Sequence, residues 1–185
     1  MYKFFKRVYF FCIVLFRFPR GVIIEGDPRK IHLGSNVLLE PGSILNVKYG
    51  GSISVGNNFQ LFRGAMLATY GGNIEIGNFC SVNPYTIIYG HGGVIIKNYV
   101  RIAAHSVIVP ANHIFSNQSI PIHQQGLSTK GITIESDVWI GAGVKVLDGV
   151  IIHQGVVVAA GAVVNQSLPP FTVCGGVPCK VIKRR

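Results

Sequence analysis

An all-β solenoid is the fold class this sequence predicts, and three observations predict it. Aliphatic residues recur every six positions, glycines recur with the same period, and one polar segment interrupts an otherwise continuous ladder. From Ile134 one row runs Ile134, Ile140, Val146, Ile152, Val158 and Val164. A second row runs Val138, Val144, Val150, Val156 and Ala162, and Gly143, Gly149, Gly155 and Gly161 form a third. Six is not a multiple of the helical turn, so no helix keeps these rows on one face. Short strands joined by tight corners do, and a glycine in each hexad supplies the backbone freedom a corner needs.

The ladder continues upstream in triplets: Leu33, Leu39, Leu45; Val55, Leu61, Leu67; Ile76, Val82, Ile88; Ile96, Ile102, Ile108. Successive triplets start 22, 21 and 20 residues apart, more than three hexads, so each turn carries a few extra residues in one corner. The physical solution is a coil of about six triangular rungs, each with three short strands and inward aliphatic side chains; one rung cannot bury its apolar face, but a stack can. Residues 110–131, PANHIFSNQSIPIHQQGLSTKG, are polar and lack the ladder, so they leave the coil as a protruding loop. Loops of that length in a compact domain are usually functional or disordered.

The flanks differ in composition. Residues 1–30 read as a basic, aromatic N-terminal segment, 31–168 as the coil with its inserted loop, and 169–185 as a C-terminal tail. Within MYKFFKRVYFFCIVLFRFPR five residues are basic and none acidic. Its charge-free run, residues 8–16, is too short to span a bilayer, and FRFPRG offers no small-residue cleavage site. The segment reads either as a short helical or extended cap on the open end of the core, or as a helix resting on the inner face of a membrane. Pro19 and Gly21 would end such a helix.

The chain has 185 residues with 49% hydrophobic and 13% charged, which excludes global disorder. The net charge of +10 is concentrated at the two ends rather than in a stripe along the coil, so a nucleic-acid partner is not expected. Cys12, Cys80, Cys174 and Cys179 form no CxxC pair, which points to free thiols in a reducing, cytoplasmic compartment rather than to disulfides or zinc.

The segments SDVWIGAGVKVLDGVIIHQGVVVAAGAVV and LPPFTVCGGVPCKVIKRR resemble the hexapeptide-repeat acyltransferases, most closely the branch of galactoside, maltose and polysaccharide O-acetyltransferases. The resemblance covers roughly residues 31–185. It implies a left-handed parallel β-helix, a homotrimer, acetyl-CoA as donor and no metal. It places Asn112-His113 where the family carries its catalytic histidine. Transfer of an acetyl group from a thioester to a hydroxyl needs a group that takes the attacking hydroxyl's proton and returns it to the leaving thiolate, work an imidazole does near neutrality. His113 is that candidate, ahead of His105 and His123; His32, His91, His123 and His153 read as exposed turn residues.

Ala142 and Ala160 lie 18 residues apart, one full rung, and stack into a shallow wall that the resemblance assigns to pantetheine. The same alignment puts Asn165 and Gln166 near the adenosine end, where relatives often carry Thr-Lys; Lys180 and Lys183 would then meet the phosphates. Trp139 follows inward Val138 and precedes inward Ile140, so it should point outward, where an exposed apolar ring calls for a subunit interface; the resemblance places it beside the catalytic histidine and pantetheine, as a donor-binding residue. Asn83 and Tyr85 fall near the family's acceptor site, and Asn112, beside His113, joins them as an acceptor-binding candidate.

Three rivals share the fold. A γ-type carbonic anhydrase would need a third suitably placed zinc histidine beside His105 and His113. A structural solenoid would have no use for the His-bearing loop. An N-acyltransferase acting on an amino-sugar nucleotide would keep fold, donor and trimer and change only the acceptor. The resemblance favours O-acetylation of a surface-polysaccharide sugar or its free, nucleotide-linked or lipid-linked precursor; the polysaccharide acceptor rests on the basic, aromatic residues 1–20, which on the membrane reading would make peripheral contact with its inner face.

Overall fold

The computed structural model describes residues 18–185, so the expectations for residues 1–17 lie outside the described residues. Three strands per turn stack into three parallel sheets that wall a triangular prism. The first face holds Ile23–Gly26, Ile44–Val47, Met66–Ala68, Ile87–Tyr89, Val107–Val109, Lys145–Leu147 and Val163–Val164. The second holds Ile31–Leu33, Ile53–Val55, Ile74–Ile76, Val94–Ile96, Ile132–Ile134 and Ile151–Ile152. The third holds Leu38–Leu39, Gln60–Leu61, Ser81–Val82, Arg101–Ile102, Trp139–Ile140, Val157–Val158 and Thr172–Gly175. No helix among the described residues is long and apolar enough to cross a membrane.

The hexad ladder becomes the core. Leu45, Leu67, Ile88, Ile108, Val146 and Val164 sit in one hydrogen-bonded column and each is fully buried. Burying one such side chain is worth roughly 2 kcal/mol, and the column repeats on the other two faces. Between the second and third faces, Asn57, Asn78 and Asn98 form a polar counterpart. Their side-chain carbonyls each accept a 2.7 Å bond from the backbone N–H of Ser35, Asn57 and Asn78 on the turn below.

The coil has about seven turns rather than the six read from the ladder, because seven strands line the first face. Ile23–Gly26 pairs residue for residue with Ile44–Val47, so strand pairing begins within residues 1–30. At the other end Thr172–Gly175 pairs parallel with Val157–Val158, and Lys180–Arg184 folds back antiparallel on it. Neither flanking strand keeps the six-residue aliphatic spacing, which is why periodicity missed them. The reversed strand, rich in Lys and Arg, covers the last parallel edge, a common device against edge-to-edge association. It also seals Cys174 and Cys179, both fully buried.

The surplus residues of each turn all fall in the corner between the first and second faces: residues 48–52, 69–73 and 90–93. The 110–131 loop leaves from that same corner one turn higher. This corner is called the flap edge below, and the corner between the third and first faces the groove edge.

Candidate active site

The loop is built rather than loose. Asn112–His113 and Leu127–Ser128 pair antiparallel, with His113 opposite Leu127. The Gln125 side chain staples the tip: its Oε1 accepts from the Asn117 N–H at 3.0 Å, and its Nε2 donates to the Asn117 and Ile120 carbonyls at 2.8 and 3.0 Å. Asp148, one turn above, holds the returning end. Its carboxylate accepts from the Lys130 N–H at 2.8 and 3.0 Å and from the Gly131 N–H at 2.9 Å. The sequence offered no signal for Asp148 beyond a corner position, because its partners are backbone groups of an irregular segment.

His113 is exposed on this flap, and no side-chain hydrogen bond orients its imidazole among the described residues. The flap also exposes Ile114, Phe115, Ile120, Ile122 and Leu127. An apolar surface on a projecting hairpin is a docking feature.

The groove edge is its opposite in character. The Gly161 N–H donates to the Ala142 carbonyl at 2.8 Å, so Ala142-Gly143 and Ala160-Gly161 stack as the sequence predicted. Gly141 is obligatory here: a Cβ would lie 2.7 Å from the Ala160 nitrogen. A Cβ at Gly143 or Gly161 would instead meet nothing within 4 Å. The wall is therefore smooth and open. Trp139, 56% exposed, stands on the third face just before this corner, between Arg101 and Val157. Lower on the same edge Tyr85 and His105 stack with centroids 5.4 Å apart, and the Asn83 Nδ2 donates to the Ile102 carbonyl at 2.8 Å.

One cation reaches the wall that sequence reasoning passed over. The Lys145 Nζ donates to the Gly143 carbonyl at 2.7 Å. Its outward column on the first face is otherwise apolar: Ile23, Ile44, Met66, Ile87, Val107, then Lys145, then Val163.

The candidate residues thus fall into two groups within one chain. Asn83, Tyr85, Trp139, Ala142 and Ala160 gather at the groove edge. Asn112 and His113 stand at the flap edge, the far end of the first face. His105 and His113 are separated by the strand Val107–Val109. Asn165 and Gln166 follow Val163–Val164 and so also lie toward the flap edge, where the Gln166 Nε2 approaches the Cys179 carbonyl at 3.4 Å. Lys180 pairs opposite Gly175, and Lys183 opposite Val173 on the third face; both are exposed.

A parallel coil with an imidazole-bearing flap at one edge of a face and an open small-residue wall at the other defines a class, the β-helical acyl-group transferases. Residues 131–166 match the bacterial transferase hexapeptide (six repeats) family. The chain is 36% identical over 146 residues to the putative lipopolysaccharide biosynthesis O-acetyl transferase WbbJ of Escherichia coli K12, covering 75% of this chain and 74% of that protein. It is 34% identical to the galactoside O-acetyltransferase of the same organism, covering 82% of this chain and 62% of that one. A dTDP-4-amino-4,6-dideoxy-D-glucose acyltransferase of Escherichia coli is 31% identical, with 72% of each chain covered. Among solved structures, an N-acyltransferase from Bacillus cereus, AntD, in complex with dTDP and coenzyme A, superposes with a TM-score of 0.73 at 28% identity over 83% of this chain and 84% of that one. A hexapeptide-repeat acetyltransferase of Vibrio cholerae complexed with acetyl coenzyme A gives a TM-score of 0.61 at 26% identity, covering 83% of this chain and 70% of that one. The chain belongs to the hexapeptide-repeat acyltransferase family.

Proposed function

We propose that this protein transfers an acetyl group from acetyl-CoA to a hydroxyl of a surface-polysaccharide sugar or its precursor, in a homotrimer whose interfaces join one protomer's flap to the next protomer's groove edge. The observation that carries the reading is the division of the site: an exposed, unoriented His113 at one end of the first face and an open wall of Ala142, Gly143, Ala160 and Gly161 at the other. Both ends belong to an apolar face. Packing three first faces about a three-fold axis buries that face, brings each flap to a neighbouring groove, and covers Trp139 and the flap's apolar residues.

In that arrangement His113 takes the proton of the acceptor hydroxyl as its oxygen attacks the thioester carbonyl. Backbone N–H groups stabilise the tetrahedral oxyanion. Collapse breaks the carbon–sulfur bond, and the His113 imidazolium returns its proton to the departing CoA thiolate. Ala142 and Ala160 leave room for pantetheine. Lys145, beside Gly143, together with Lys180 and Lys183, supplies positive charge for the donor's phosphates.

Two named O-acetyltransferases among the relatives support a hydroxyl acceptor. A second reading, N-acylation of an amino-sugar nucleotide, draws on the dTDP-sugar acyltransferase and on AntD. A membrane-proximal cytoplasmic location rests on the basic, aromatic residues 1–20 alone. The deciding experiment offers labelled acetyl-CoA with hydroxyl-bearing oligosaccharides and with dTDP-4-amino-4,6-dideoxyglucose. Label on an oxygen ester supports the first reading; label confined to the amide of the nucleotide sugar replaces it with the second.

A further inference from the structure

The flap edge carries a feature that acetyl transfer does not use. On the turns below the flap the chain repeats Tyr49-Gly50-Gly51, Tyr70-Gly71-Gly72 and His91-Gly92-Gly93. The three rings form one column. Tyr49 and Tyr70 stack with centroids 5.7 Å apart and planes 9° from parallel; Tyr70 and His91 stack at 5.0 Å and 8°. Tyr89 packs edge-on against Tyr70 at 5.1 Å and against His91 at 5.9 Å.

The column ends at the flap's hinge. The Gly92 N–H donates to the Pro110 carbonyl at 3.2 Å, and a Cβ on Gly92 would come within 2.7 Å of the Thr129 Cβ. Beside His91 a depression of about 460 Å³ opens, lined among others by Asn73, Glu75 and Thr129.

The coil does not require these rings. Tyr49 is 60% exposed and Tyr70 38%, so neither contributes to the buried core. The exposed side of an aromatic column, flanked by an amide, a carboxylate and a hydroxyl, matches a ligand with apolar C–H patches and many hydroxyls. Glu75 is the charged residue lining the depression, which disfavours a phosphate there; the one cation at the column, Lys48, lies over Tyr49 at the other end, 5.5 Å from its centroid.

We propose that this column is an acceptor subsite for an oligosaccharide or glycan chain, whose sugar units lie along the exposed outer side of the Tyr49 and Tyr70 stack while its hydroxyls bond Asn73, Glu75 and Thr129, presenting the end unit to the flap. The column crosses three turns, a length suited to several sugar units rather than one. The assignment deepens the acetyl-transfer reading and rests on it for what happens at the flap.

The test presents the full chain, without acetyl-CoA, to an array of bacterial surface oligosaccharides and their component monosaccharides. Retention is measured for the wild type, Tyr49→Ala, Tyr70→Ala and Tyr70→Phe, each with a melting curve. Wild-type retention on oligosaccharides is expected, about tenfold weaker in both alanine variants and nearly unchanged in Tyr70→Phe, which keeps the stack. Tyr49, at the open end of the column, keeps the test decisive if Tyr70→Ala unfolds. Retention that is absent from every spot, or that the alanine variants leave unaltered, overturns the subsite. Tyrosine-dependent retention without acetylation from acetyl-CoA would instead leave the subsite standing and refute the transfer reaction. Acetylation with an unaltered acceptor KM in the alanine variants would do the reverse.

Discussion

The two edges that bound the first face are made by opposite means. The groove edge is regular: Ala142-Gly143 repeats as Ala160-Gly161, each corner is closed by one left-handed residue, a glycine here and Tyr85 or His105 lower down, and no loop projects. The flap edge is irregular: its corners carry surplus residues, then a hairpin, and that hairpin is held by individual side chains, Asp148 and Gln125. The difference separates two kinds of work. A regular edge makes a passive surface that a ligand can lie along. An irregular edge positions a reactive group, and positioning needs specific bonds.

The largest effect expected at the flap edge comes from His113→Ala, which should lower kcat by about 10²–10⁴-fold while the melting temperature stays that of the wild type. Steady-state kinetics beside a melting curve check this, and near-normal kcat would remove His113 from the chemistry. Asp148→Ala frees the Lys130 and Gly131 N–H groups and should lower kcat by roughly 10-fold through a misplaced flap. Faster hydrogen exchange at residues 126–131, with the rest of the coil unchanged, should accompany it. Loss of activity without that exchange signature would mean Asp148 acts on something other than the flap.

The smallest effect concerns stability at the same edge. Burial pushes the His91 imidazole below its ordinary 6.5, so the folded chain resists a proton that the unfolded chain accepts. Stability is therefore full above pH 6.5 and declines as pH falls through the window beneath it. His91→Phe keeps the ring column and removes the proton, so its melting temperature should fall less between pH 7.5 and pH 5.5, by on the order of 1 °C. Equal slopes would show that His91 contributes no pH dependence.

The same comparison explains what could be read in advance. Ile134 through Val164 announced the coil because a repeated geometry leaves a repeated residue pattern, and Ala142 and Ala160 were found by counting one rung. Ile23–Gly26 and Thr172–Gly175 were missed because they join the sheets by backbone pairing, with no hexad spacing to mark them. The sequence marked the 110–131 segment as a loop by its broken period, yet Asp148 was invisible, since its bonds go to backbone N–H groups 17 and 18 residues away. Lys145 was overlooked as one ordinary lysine in a hexad; only the carbonyl of Gly143 under its ammonium group shows where it reaches. Which edge carries which residue was also beyond the sequence, because it depends on where each turn spends its surplus residues.

The central claim is that flap and groove of one chain serve different sites. Ala160→Phe blocks the groove and leaves the flap intact; His113→Ala does the converse. Each variant alone should be inactive. Refolded together in equal amounts, they should regain roughly a quarter of wild-type activity, because each interface draws a sound flap and a sound groove independently. A mixture as inactive as its parts would contradict the claim and place the whole reaction within a single protomer.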